Sequence, residues 1–174
     1  VALFSNCLFS GNSGYSGGAM LGQGNAHQEI INCTVIGNHA ANVAGGVYVS
    51  SHTLHISNTI IWGNTHDEVY GETVSPEGTQ LLVRPSVTVA TVDYCCVQDW
   101  SGDLGGTGNV GSDPLFANPS GGGYHLLLGS PCIDTGDNSV VTGTAALGGN
   151  NRILDGDCVP GAVVDMGAYE APQL

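Results

Sequence analysis

The sequence predicts an all-β protein: a right-handed parallel β-helix of about 26 residues per coil, ending in an irregular C-terminal cap. Three observations lead there. First, three segments align without gaps, 26 and again 26 residues apart: Asn6-Cys7-Leu8-Phe9-Ser10-Gly11-Asn12, Asn32-Cys33-Thr34-Val35-Ile36-Gly37-Asn38 and Asn58-Thr59-Ile60-Ile61-Trp62-Gly63-Asn64. A fixed period of this size marks a stacked architecture, in which each unit buries its apolar face against its neighbours. Second, the runs between Gly and Asn punctuation are short and rich in Val, Ile, Thr and Tyr, which suit strands. Third, no stretch keeps an apolar period of 3.6 with caps, so helical repeats are excluded.

The first 65 residues read as regular coils. In the run from Glu29 to Val35, Ile31, Cys33 and Val35 share one face; Cys7 and Phe9 match them in the first unit, Thr59 and Ile61 in the third. One repeat per coil stacks equivalent residues at the strand spacing of about 4.8 Å. Asn6, Asn32 and Asn58 then form one column, and Asn12, Asn38 and Asn64 another. Stacked amides hydrogen-bond along the axis, and Asn tolerates the left-handed conformation of a corner. Gly11, Gly37 and Gly63 fall where a corner favours positive φ. These nine residues are read as a structural ladder. Gly17-Gly18 and Gly45-Gly46 follow the first two units.

Residues 66–86 break the period and predict a protruding loop or an imperfect coil. Strands resume from Val87 to Val97, and 99–123 is mostly loop. Residues 124–133 and 162–170 read as strands around a long polar loop. The coils therefore occupy 1–98, and 99–174 forms irregular final coils and a cap continuous with them. A stack needs such a cap over its last core layer and open edge. The first residues already read as mid-repeat, so a fragment of a longer solenoid is expected.

Two segments carry a family resemblance. Phe9-Ser10-Gly11-Asn12 followed by Gly17-Gly18-Ala19-Met20 resembles the repeat pair of polymorphic outer-membrane proteins, with Val35, Ile61 and Val47 departing from it in later units. The second half resembles the choice-of-anchor Q region of secreted bacterial β-helix proteins. Its matching stretches are 113–116 (Asp-Pro-Leu-Phe), 124–126 (Tyr-His-Leu), 129–136 (Gly-Ser-Pro-Cys-Ile-Asp-Thr-Gly), Arg152-Ile153 and 164–170 (Val-Asp-Met-Gly-Ala-Tyr-Glu). The resemblance implies an extracellular or cell-surface β-helix and does not fix a reaction.

Composition excludes several partners. Fifteen acids face two arginines, Arg84 and Arg152, and no lysine, for a net charge of −13. Nothing basic is available to neutralise nucleic-acid phosphates, and anionic membrane surfaces repel such a chain. No apolar run is long enough to span a bilayer.

The remaining candidates are few. Cys132 and Cys158 flank the polar loop and are a candidate disulfide for a secreted chain. Cys7 and Cys33 would stack with parallel Cβ vectors, which suits buried thiols better than a bridge. Asp134, Asp137, Asp155 and Asp157 gather around the same loop as a candidate calcium site, since hard oxygen ligands suit Ca²⁺. Against it, Asp in turns ordinarily bonds local backbone, and no EF-hand pattern is present. His39 and His66 approach one corner beside Asp67 and Glu68, while His52 and His55 fall on opposite strand faces. Trp62 and Trp100 are candidate sugar-stacking rings or packing residues.

A lyase needs a base and cationic neutralisation of its acidic sugar, and a hydrolase needs paired carboxylates. The coils offer neither: Glu29 stands alone before Asp67, and Asp93 with Asp67 or Glu68 is the one weak pair. No catalytic residue is therefore assigned and no cofactor is required. The expected role is a stalk, or a surface binding polysaccharide or a surface protein. The alternative is part of a pectate-lyase-type polysaccharide enzyme with its catalytic coils upstream.

Overall fold

The computed structural model describes residues 1–24, 27–50, 53–67, 75–156 and 161–172. Three successive units each contribute one strand to four parallel sheets. The first unit holds β1 (Ala2–Ser5), β2 (Leu8–Ser10), β3 (Ser13–Ser16) and β4 (Met20–Gly22). The second holds β5 (His27–Ile31), β6 (Thr34–Ile36), β7 (His39–Val43) and β8 (Val47–Val49). The third holds β9 (Thr53–Ser57), β10 (Ile60–Trp62), β11 (Thr65–His66), a short helix α1 (Pro76–Gln80) and β12 (Leu81–Val83). A partial fourth unit adds β13 (Val89–Asp93) and β14 (Cys96–Val97). Sheet A is β1-β5-β9-β13, sheet B β2-β6-β10-β14, sheet C β3-β7-β11 and sheet D β4-β8-β12. The result is a nearly all-β chain of parallel sheets stacked in register, compatible with a β-helix solenoid.

Register carries the core. Phe4, Ile30, Ile56 and Val92 are paired partners on sheet A, and Phe9, Val35, Ile61 and Val97 on sheet B. They meet Met20, Val47 and Leu81 of sheet D in one buried cluster. Each fully buried Val, Leu or Ile contributes about 2 kcal/mol relative to exposure. A slip of one residue would turn whole columns out to water, so the register is strongly specified.

The corners are built from left-handed residues. Between sheets A and B stand Asn6, Asn32, Asn58 and Tyr94, with φ of 52°, 50°, 49° and 52°. Gly11, Gly37 and Gly63 turn the chain from sheet B to sheet C at φ of 67°, 63° and 63°. The residue after each A–B corner points inward, and its side chain donates to the carbonyl two residues back. Cys7 bonds Ser5 O at 3.1 Å, Cys33 bonds Ile31 O at 3.3 Å, Thr59 bonds Ser57 O at 2.9 Å and Cys95 bonds Asp93 O at 3.2 Å. A hydroxyl and three thiols thus do the same local work.

The two Asn columns behave differently. Asn12 Nδ2 donates to Asn38 Oδ1, and Asn38 Nδ2 to Asn64 Oδ1, both at 2.9 Å. Asn64 Nδ2 then donates to Gln80 Oε1 at 2.9 Å, so Gln80 of α1 completes the ladder in place of a fourth Asn. Asn6, Asn32 and Asn58 form no such chain. Asn6 Nδ2 donates to Thr142 O, Asn58 exchanges bonds with the Asp137 backbone, and the buried Asn32 amide has no hydrogen-bond partner among the described residues.

The period breaks where the sequence says it should. Val47 pairs with Leu81 and Ile60 with Cys96, so the third unit is the longest. Its insertion carries α1, capped by Ser75 Oγ accepting from Gly78 N, with Pro76 in the first turn. The strand resumes at Val89, not Val87.

The C-terminal part departs from a simple end cap. Residues up to 110 do cover the end: Trp100 and Leu104 pack on the inner cluster, and Val110 bridges Cys96 in parallel. The rest folds back along the outer face of sheet B. There Ile36, Ile60 and Cys96 are buried against Phe116, Leu126, Cys132, Ile133 and Met166. Two antiparallel strands, β15 (Phe116–Asn118) and β16 (Gly123–Leu126), start this clamp. Residues 162–170, expected as a strand, are irregular, with one isolated bridge between Leu154 and Val163. The physical reason is that the outward side chains of sheet B are apolar. Covering them with the chain itself removes that apolar surface from water, which favours a segment laid along the sheet over one extending the stack.

Replacing Asn38 with Ala orphans the carbonyls of Phe9 and Ile36 and breaks the ladder at its middle. The expected loss is about 3 kcal/mol in a urea unfolding titration. Asn12→Ala, at the exposed end of the column, should cost under about 1 kcal/mol. Equal losses at the two positions would contradict a cooperative amide ladder.

Candidate functional site

With the outer face of sheet B covered, the outer face of sheet A is the broadest patterned β-surface left among the described residues. Strand alternation places it there: Gln28, Ile30, Leu54 and Ile56 are buried, and His27, Glu29, Thr53 and His55 turn outward, half-buried. In-register pairing sets Glu29 beside His55, His55 beside Thr91, and His27 beside Thr53.

These side chains engage one another. His27 Nε2 lies 2.7 Å from Glu29 Oε1, and the His27 and His55 ring centroids are 5.1 Å apart. His55 Nδ1 is 2.5 Å from Thr91 Oγ1. The array therefore offers two imidazoles side by side, a carboxylate that orients one of them, and a hydroxyl that orients the other. Such a row presents donors and acceptors at fixed spacing to a hydroxyl-rich ligand. The His27–Glu29 pair also has the form of a base with its orienting group. Sequence reading missed this pair, treating Glu29 as an isolated acid. The signal was present in His27-Gln28-Glu29, whose alternation puts the imidazole and the carboxylate on one strand face.

The other sequence candidates scatter. His39 Nε2 approaches Asp67 Oδ1 at 3.5 Å, but His39 pairs in register with Thr65 and His66 with Ala40, so the two imidazoles occupy different columns. Asp93 ends a strand of sheet A and accepts from Thr107 N, whereas Asp67 follows a strand of sheet C; they do not pair. Glu68 and His52 lie outside the described residues. Trp62 and Trp100 are partly buried against the two apolar clusters. His125 is exposed, with its ring 4.4 Å from that of Tyr169.

Around the polar loop, carboxylates meet backbone amides. Asp134 Oδ2 accepts from Gly156 N at 2.9 Å, and Asp137 caps a short turn through Ser139 N and Oγ at 2.8 Å. Asp155, half-buried, precedes that Gly156 in the chain, and Asp157 lies outside the described residues. Among the described residues, no group of three or more His, Cys, Asp or Glu is arranged to hold a metal ion. Cys158 of the candidate disulfide also lies outside the described residues; Cys132, on the clamp, is fully buried.

Both arginines are engaged within the protein, Arg84 half-buried and Arg152 buried. Arg84 Nε donates to Tyr48 Oη at 3.1 Å with its guanidinium over the ring. Arg152 is 1% exposed. Its Nη2 donates to the carbonyls of Asp165 and Gly167 at 2.7 and 2.6 Å, and its Nη1 faces Glu170 Oε2 at 3.6 Å. Asp165 in turn accepts from Asp134 N and Ala171 N. The stretches around 134, 152 and 165–170 thus converge on one buried network that shapes the clamp.

That network sets a pH dependence. Burial is the main cause that raises both carboxyls, Asp165 to about 6 and Glu170 to about 8, against the pull of Arg152. The folded chain therefore retains protons that the unfolded chain releases. This contribution to stability is complete below about pH 4, the unfolded carboxyl range, and is lost as pH rises through 6 towards 8. Thermal melts should show the clamp weaker at pH 8 than at pH 5. Glu170→Gln should flatten the upper part of that fall; an unchanged slope would remove Glu170 from the account.

Comparison of the chain with protein-family models, with curated proteins and with solved structures found no match.

Proposed function

We propose that this chain is the C-terminal part of a right-handed parallel β-helix of the secreted or cell-surface kind. In this reading its coils are a stalk whose sheet A face binds a polysaccharide or a partner's glycan, without catalysis by this segment. The supporting observation is the ordered row of His27, Glu29, His55 and Thr91 on an outward strand face. Hydroxyl-rich ligands are recognised by such convergent donors and acceptors on a rigid scaffold. The engagement of Arg84 with Tyr48 and the burial of Arg152 favour binding over lyase chemistry. A net charge of −13 disfavours polyuronates unless Ca²⁺ bridges them. The resemblance to choice-of-anchor Q and polymorphic outer-membrane repeats supports the same location.

A second reading has its own observation. The His27–Glu29 pair, at 2.7 Å, supports a polysaccharide-active enzyme whose remaining catalytic groups belong to further coils.

One experiment separates them. The protein is incubated with neutral and acidic polysaccharides, with and without Ca²⁺, and polymer size and co-elution are followed by chromatography. Intact polymer that co-elutes with the protein is expected. The double variant His27→Ala/His55→Ala should weaken retention about tenfold, the equivalent of roughly one or two hydrogen bonds. Shortened polymer would favour the enzyme, and retention unchanged in the variant would remove sheet A as the site.

A further inference from the structure

The described cysteines divide into two kinds. Cys7, Cys33 and Cys95 stand in the inward corner column, each donating to its own backbone, with Thr59 in the same role at the third rung. Burial is the main cause pushing Cys33 and Cys95 up to about 12, so these thiols stay protonated. Cys96 and Cys132 are different. They come from opposite sides of the seam between the stack and the clamp.

Cys96 occupies the outward column of sheet B, where the earlier units carry Leu8, Thr34 and Ile60. Cys132 lies on the turn of the clamp facing that column. Ser130 Oγ holds its N–H at 3.1 Å, and Met166 N holds its carbonyl at 2.9 Å. Both residues are completely buried, in the same apolar cluster. Cys96 Sγ donates to Ser112 O at 3.3 Å, both thiols are free, and the neighbouring Cys132 thiol is the largest influence raising that of Cys96. Two neighbouring free thiols from segments distant in sequence, buried in one dry seam, are placed to be joined.

We propose that Cys96 and Cys132 form a disulfide that staples the clamp to the outer face of sheet B when the chain folds under oxidising conditions. The oxidant is a low-molecular-weight disulfide. The thiolate of one cysteine attacks it, forming a mixed disulfide and releasing one small thiol. The second cysteine, deprotonated, displaces the other small thiol as the Sγ–Sγ bond forms. Two electrons and two protons pass to the oxidant, which leaves as two thiols. Burial of both groups assigns this step to the chain before the clamp docks. The same burial shields the finished bridge from reductant. The proposal does not depend on the ligand of sheet A.

The test is a linkage map of the whole chain refolded from denaturant with oxidised glutathione. Trypsin cannot separate the two cysteines, because Arg84 and Arg152 are the only basic cleavage sites. Cleavage at Asp99, Asp103 or Asp113 does, and the fragments are read by mass spectrometry without reduction. A Cys96–Cys132 link is expected, and it should persist in a Cys95→Ser variant, which resolves the neighbouring thiol. Refolding with reductant should lower Tm by on the order of 10 °C. Cys96→Ser and Cys132→Ser should each abolish that difference, while Cys33→Ser keeps it. Linkage of Cys132 to Cys158 or Cys95, or free thiols at 96 and 132 after oxidative refolding, would overturn the proposal. The map of the unmutated chain decides even if a Ser variant fails to fold.

Discussion

Everything in this molecule depends on in-register contact between the backbones of successive units. Parallel strands one unit apart must present equivalent residues at equal height, and the corners leave little room. A Cβ on Gly18 would sit 2.3 Å from Gly45 O, one on Gly45 2.0 Å from Thr65 O, and one on Gly46 2.1 Å from Gln80 O. These glycines are required by the approach of the next unit rather than by their own φ. The left-handed corners serve the same constraint, and so does the amide ladder through Asn12, Asn38 and Asn64, which satisfies donors inside a turn where water has no access.

The second constraint is the outward face of sheet B. Its columns carry Leu8, Ile60, Ile36 and Trp62, too apolar to leave in water. The chain covers them with its own C-terminal segment and ties that segment down at each unit. Ser10 Oγ meets Tyr124 Oη at 2.8 Å, Thr34 Oγ1 accepts from Ala168 N at 3.0 Å, and Asn58 exchanges bonds with Asp137. Gly167 permits this approach, since a Cβ there would lie 2.8 Å from Ile60 Cδ1. Of the corner asparagines that form no ladder, Asn6 and Asn58 are therefore docking points for the clamp. Covering one face also selects another: the outer face of sheet A, where His27, Glu29, His55 and Thr91 lie between Leu3 and Val89, stays open.

The clamp has little regular structure, and its shape comes from a buried polar network instead. Arg152 gathers the carbonyls of Asp165 and Gly167, Asp165 gathers the amides of Asp134 and Ala171, and Glu170 lies against the guanidinium. Removing one partner from such a network leaves an uncompensated buried charge, which is why an irregular segment can still adopt one conformation. The cost appears as carboxyls that resist ionisation.

The repeat of Asn, Gly and short β-rich runs was enough by itself to determine a stack of parallel strands, its period, its corner residues and the break after residue 65. All of these are local, periodic properties, and identical units at a fixed spacing have one way to align their apolar columns. Only the tertiary structure decided that the last third lies along sheet B, that Gln80 ends the ladder, that Glu29 belongs to His27 and that Cys132 and Cys96 share one buried cluster. Each of these joins a residue to a partner set by how aperiodic segments fold back on the stack. That path is chosen by the summed burial of faces and polar groups, which no spacing in the sequence records.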